Sequence, residues 1–227
     1  MPKVKMPRST PALDMTPMVD LAFLLVTFFM LTSSFRAPEP VILDPPSSTT
    51  EVQIPKQVFL IMIDKEGRAF VEITNPVVKT TVLKQMMKEY PIPGMTMTAE
   101  DIKEFGGVGP VGLRVAEIPQ FMELESTERT SYEMRGVPYD TAAAKIKNCE
   151  LYHWAYFTKI EAHNDYKRRE EEARLRNMEF DKSNYIQFAI KAASDAKYDR
   201  IQDIINVLRE AKVKEFQMIT GLESAPE

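Results

Sequence analysis

Asp20, Thr27 and Ser34 recur at intervals of seven in the stretch DMTPMVDLAFLLVTFFMLTSSF, residues 14–35. On a helix seven residues turn about 700°, so the three fall within roughly 40° of one another, two turns apart each time. Phe23, Leu24 and Leu31 lie near the same side, and one face therefore carries the deeper polar atoms of an otherwise apolar run. Thr16 has the hydroxyl of a helix cap, and Pro17 suits the first helical position, where its missing N–H is no loss. A carboxylate within a membrane costs about 2.5–3.5 kcal/mol on insertion scales and is kept where it faces protein or water. A carboxyl group drawn out of water favours its protonated form, and a group that alternates between neutral and charged responds to a transmembrane proton gradient. Asp20 is thus the candidate proton-binding residue, with Thr16, Pro17, Phe23, Leu24, Thr27, Leu31 and Ser34 as the supporting face. The competing role is a buried acid that fixes helix assembly by hydrogen bonding a neighbour.

Other chemistry finds little purchase. Cys149 is a lone cysteine, so no intramolecular disulfide can form, and nothing around it lowers a thiol pKa. His153 and His163 are ten residues apart, nearly three helical turns, too far to share a metal ion, and no metal site is expected. GGVGPVG at 106–112 has the glycines of a phosphate loop but not its Lys-Ser/Thr ending, and reads as a loop. A net charge of −4 without a basic aromatic stripe gives no drive toward nucleic acid.

The elements that would position Asp20 follow from composition. Residues 1–14 carry Lys3, Lys5 and Arg8 before the first acid, Asp14, and read as a basic cytoplasmic tail. Residues 15–35 provide about the 20 apolar positions of a transmembrane helix. A secretory signal peptide is the rival reading, with Leu21–Leu31 as its apolar core, but Asp20 and Pro17 serve no purpose in a segment that is removed. Residues 36–55 are rich in proline, serine and threonine and read as an extended, semi-stiff linker. Residues 56–221 then form an α+β domain. KQVFLIMIDKEGRAFVEI at 56–73 has the pattern of a hairpin around DKEG. Helices are expected at 82–90, at 98–105 from a Thr98 cap, at 116–125, and as one long stretch over 141–178. The end of the domain reads as strand 184–192, helix 198–212 with Ile201, Ile204, Ile205 and Leu208 on one face, and strand 213–220. Strands joined by one helix should be parallel neighbours. Residues 222–227 are a tail.

The stretch Thr16, Pro17, Met18, Val19, Asp20 followed by Leu- and Phe-rich sequence resembles the transmembrane signature of the ExbD/TolR biopolymer-transport family. The hairpin at 56–73 and the strand–helix–strand at 184–220 are similar to the family's periplasmic domain. The resemblance implies a two-layer α+β domain behind a single N-terminal transmembrane helix, in a bacterial inner-membrane subunit with its N-terminus cytoplasmic and the linker 36–55 periplasmic. It implies no enzyme and no cofactor, but a motor driven by the proton gradient through Asp20. A homodimer would sit inside a pentamer of ExbB/TolQ-like multi-span subunits and drive a TonB- or TolA-like envelope protein. A large, mainly helical insertion near 76–180 is a departure from the family and leaves open a gliding or secretion motor. A membrane-anchored periplasmic interaction protein without ion transport is the reading from a different class, and a flagellar-stator subunit fits less well. Thr16 and Thr27 are poor oxygen donors for a sodium cage, which favours the proton.

Overall fold

The computed structural model describes residues 15–32, 47–48, 57–93, 96–140, 142, 145–180, 185–219 and 221–222. The chain divides into two compact units, Met1–Ala37 and Pro38–Glu227. The first contains one described element, helix α1, Thr16–Thr32.

The second unit is α+β, and its strands follow the apolar runs. Strands β2 (Val58–Ile63) and β3 (Ala69–Ile73) form the expected antiparallel hairpin, with Phe59 opposite Ile73 and Ile63 opposite Ala69. Gly67, at φ 83°, supplies the turn conformation that a residue with a side chain rarely adopts. Asp64 fastens the same turn, its Oδ1 accepting from the amides of Glu66 and Arg68 at 2.9 and 2.8 Å. Strand β4 (Gln187–Ala192) pairs in parallel with β2, and β5 (Gln217–Ile219) in parallel with β4, in the order β3-β2-β4-β5. The helix between β4 and β5, α7, runs Tyr198–Glu210 and buries Ile204, Val207 and Leu208, with Ile201 and Ile205 half-buried beside them. The closing strand–helix–strand is therefore present, although β5 is shorter than the sequence suggests, starting at Gln217 rather than at 213. Two linker residues also enter regular structure: β1 (Ser47–Ser48) pairs in parallel with β6 (Gly221–Leu222). The rest of the expected linker lies outside the described residues, apart from these two.

Helices cover one face of the sheet. Phe59, Ile61 and Ile63 of β2 and their neighbours Phe188 and Ile190 pack against α2 (Pro76–Glu89), α6 (Glu150–Leu175) and α7 in one core. On the other face Val58, Leu60, Met62, Phe70 and Ala189 form a second buried cluster. Burying both faces explains why β2 reads as an unbroken apolar run instead of an alternating one.

Three helix boundaries differ from expectation. Helix α2 starts at Pro76, six residues before the periodic run, because Asn75 caps it: Asn75 Oδ1 accepts from the amides of Val77 and Val78 at 3.0 and 3.2 Å. The long helix expected over 141–178 is only Glu150–Leu175. A turn in which the Ala142 amide donates to Asp140, followed by a short 3₁₀ segment at Ile146–Asn148, occupies the start of that stretch. At its far end Asn177, in the left-handed region at φ 51°, closes the helix as the Met178 amide donates to Ala173 at 2.9 Å. The stretch 116–125 divides into a 3₁₀ turn at Val115–Glu117 and α4, Ile118–Glu123. Helix α3, Ala99–Phe105, has the Thr98 cap, with Asp101 completing a reciprocal capping box. A further short helix, α5, runs Ser126–Ser131.

GGVGPVG is a loop with a structural task. The Val71 and Val111 backbones exchange hydrogen bonds of 2.9 and 2.8 Å, so the glycine run lies beside β3 as a partial fifth strand. Gly112 permits the approach, since a Cβ there would lie 2.2 Å from the Phe70 ring. Lys79 of α2 fastens the neighbouring backbone. Its Nζ, 2% exposed as part of the residue, donates to the carbonyls of Val108 and Gly109 at 2.6 and 2.9 Å and lies 5.1 Å from the Phe105 ring centroid.

Candidate functional site

The Thr-Pro start gives α1 its beginning at Thr16, and the Leu- and Phe-rich run that follows keeps it helical to Thr32. Asp20, Phe23, Leu24, Thr27 and Leu31 all lie on this one element, with Thr16 and Pro17 at its entry. At about 100° per residue they occupy an arc of roughly 120°, with Asp20 and Thr27 near its centre. The structure therefore brings the proposed supporting residues to one side of a helix. Ser34 lies outside the described residues.

Every described residue of α1 is exposed, including Phe23 at 68% and Leu31 at 88%. An apolar surface surrounding a whole helix marks contact with a membrane or with other protein, because a water-facing helix is polar on at least one side. The Thr27 hydroxyl donates to the Leu24 carbonyl at 2.9 Å, and the Thr32 hydroxyl to that of Phe28 at 2.8 Å. These bonds hide the two hydroxyl protons within the helix and leave oxygen lone pairs on its surface. Asp20 makes no hydrogen bond or ion pair among the described residues, so its carboxylate is free to meet a partner from elsewhere.

The described helix covers part of the expected membrane segment. It has 17 residues rather than the 21 of 15–35, and no helix among the described residues is long and apolar enough to cross a membrane. At about 1.5 Å per residue, α1 falls short of the roughly 30 Å hydrocarbon thickness. Positions 33–35 of the expected span lie outside the described residues.

The family model described as biopolymer transport protein ExbD/TolR matches residues 6–108. Over these residues, somewhat under half of the chain, the sequence is similar to the ExbD/TolR family. The matched stretch takes in α1, the β2–β3 hairpin, α2 and α3, and so continues past residue 76, where the helical insertion was expected to begin. Helix α6 and the β4-α7-β5 unit lie beyond the match. Comparison with curated proteins and with solved structures returns no match. The family is described as one of biopolymer transport, and the matched residues include Asp20.

The remaining candidates have structural places. Cys149 is buried at the start of α6. His153 accepts or donates a 2.9 Å hydrogen bond with the Tyr90 hydroxyl and stacks on Phe157, while His163 is exposed nearly three turns further along the helix. No group of acids, histidines and cysteine suited to a metal ion occurs among the described residues.

Proposed function

We propose that the chain is the single-span subunit of an ExbB–ExbD-type inner-membrane motor, in which Asp20 carries protons and so energises TonB-dependent or Tol-like envelope transport. The observation that supports this most directly is the single carboxylate on a helix exposed and apolar all round, within a segment similar to a transport family. In this reading the apolar run Met15–Phe35 crosses the membrane, residues 1–14 stay in the cytoplasm and the α+β unit lies in the periplasm. Two such helices stand within a pentamer of multi-span ExbB/TolQ-like subunits, which supply the hydrated partners that Asp20 requires. Protonation and release of Asp20 then bias the position of the helix pair, and a TonB- or TolA-like protein receives the motion. A gliding or secretion motor would use the same helix with a different envelope partner.

Replacing Asp20 by Asn tests the mechanism, because the side chain keeps its size but loses its titration. Gradient-dependent uptake should vanish, while copurification of the multi-span partner persists. Full uptake by Asp20→Asn cells would overturn the proposal. Intact mass of the membrane-extracted protein tests the anchor: a mature N-terminus near Phe35 would mean that the helix is removed.

A further inference from the structure

Four arginines meet in a cleft of about 540 Å³ on the α+β unit, between the β2–β3 turn, the segment before α4 and the first turn of α7. They are Arg68, Arg114, Arg135 and Arg200, and the carboxylates on the rim are Glu66 and Glu117. We infer that this cleft binds a small oxyanion, a ligand bearing two or more phosphate or carboxylate groups.

The cleft is built, not incidental. Gly67 and Gly136 both lie in the left-handed region, at φ 83° and 91°. A Cβ on Gly67 would lie 2.8 Å from Arg200 Cγ, and one on Gly136 would lie 2.9 Å from Arg68 Cβ. Two turns thus close directly onto the stems of two arginines, which only glycine permits. Three hydrogen bonds hold the walls together: Tyr139 Oη to the Gly67 carbonyl at 2.7 Å, the Gly136 amide to Gly112 at 2.8 Å, and the Val137 amide to Ala69 at 2.7 Å. A site ordered in advance spends less of its binding energy on immobilising side chains and loops.

Most of the donors are also unspent. Buried Asp64 and rim Glu66 engage Arg68 through Nε alone, at 2.6 and 3.2 Å, which fixes the guanidinium and leaves its two terminal nitrogens without a hydrogen bond among the described residues. The guanidinium of Arg135 makes no hydrogen bond or ion pair among the described residues, that of Arg114 interacts with the charge of Glu150 without a hydrogen bond to it, and Arg200 has a side-chain hydrogen bond with Tyr139 and a long contact of 3.8 Å with Asp203, which leaves most of its donors open. Like charges gathered around a concave surface repel one another and focus a positive potential into it, and an anion relieves both effects. The planar fork of a guanidinium matches carboxylate and phosphate oxygens in pairs, so a multiply charged oxyanion can engage more than one arginine.

The test is calorimetric titration of the full-length protein in mild detergent with pyrophosphate and, separately, with citrate. Saturable millimolar or tighter binding of at least one is expected, and pyrophosphate alone or citrate alone would identify the group that the cleft selects. The double variant Arg114→Gln/Arg135→Gln alters two exposed side chains with no part in the core, and should weaken binding by about tenfold or more. Lys88→Gln, on the surface of α2, should leave it unchanged. No saturable binding of either anion to a protein of native circular dichroism overturns the inference, as does equal affinity in the double variant.

Discussion

Asn75 and Asp165 join two helices 90 residues apart in sequence: Asn75 Nδ2 donates to Asp165 Oδ2 at 3.2 Å while Asn75 Oδ1 caps α2. One amide therefore starts a helix and ties it to α6. Asp165 is 7% exposed, and on its other side it pairs with Arg168 and, at 2.8 Å, with Arg169. The arginines offset the cost of burying the carboxylate, and Asn75 orients it.

Replacing Asn75 by Ala should destabilise the α+β unit by about 1–2 kcal/mol, the usual loss for a removed cap, with a smaller added share for the hydrogen bond lost from Asp165 Oδ2, which Arg169 still engages. Asn75→Asp separates the two roles, since it keeps a capping acceptor and sets a second carboxylate against Asp165. Urea unfolding should show it less stable than wild type, with part of the loss recovered when Asp165→Asn is added.

Gly112→Ala should cost about 2 kcal/mol or more, because the new methyl meets the Phe70 ring in a packed cluster and β3 or the glycine run must shift. Gly107→Ala is the control: its Cβ would meet only the Glu104 carbonyl oxygen at 3.5 Å, an ordinary contact. Thermal unfolding should separate the two variants clearly.

Lys79 gives the α+β unit a pH dependence of definite sign. Burial lowers its pKa from 10.5 to about 8, opposed by the nearby charge of Glu72. Below about pH 8 both folded and unfolded chains carry the proton, and the folded state bears the full cost of burying the charge. Between about 8 and 10.5 the unfolded chain binds more protons, so stability rises with pH by an amount on the order of 3 kcal/mol. Lys79→Met removes this term. The stability of wild type relative to the variant should therefore improve across that window in chemical denaturation, and a flat difference would contradict the assignment.

Thr27 bears on the proposed function. Its hydroxyl proton is already committed to the Leu24 carbonyl, so what it offers Asp20's surroundings is an acceptor oxygen. Thr27→Ser should retain most gradient-driven uptake, while isosteric Thr27→Val should lower it by about tenfold, an effect of 1.4 kcal/mol. Equal uptake in the two variants would remove Thr27 from the pathway.

Local signals were legible wherever one residue type has one physical use. The Thr98 cap and the hairpin around DKEG followed from turn and capping chemistry, and the parallel β4 and β5 followed from a helix too short to do anything but return the chain to a neighbouring strand. Asn75–Pro76 carried the same kind of signal, masked by the stronger periodicity that begins at Val82. The 141–178 stretch misled because it lacks Gly and Pro. The start of α6 is instead set where Glu150 meets a distant part of the chain, its carboxylate accepting from the Val115 amide at 2.8 Å. The face of α1 was legible because seven-residue spacing survives any helix, whereas the arginine cleft was not, since Arg68, Arg114, Arg135 and Arg200 share no period and meet only through the fold.

The place of β2 in the sheet sets an order of events during synthesis. It pairs on one side with β3 a few residues away, and on the other with β4, whose Phe188 lies opposite Phe59 after more than half the chain has intervened. Until β4 is made, the apolar strand Val58–Ile63 has an open edge, and closing so long a loop is slow. The nascent chain is therefore vulnerable to pairing with the wrong strand for most of its manufacture, and a truncation after α6 should leave an aggregating hairpin instead of a smaller domain.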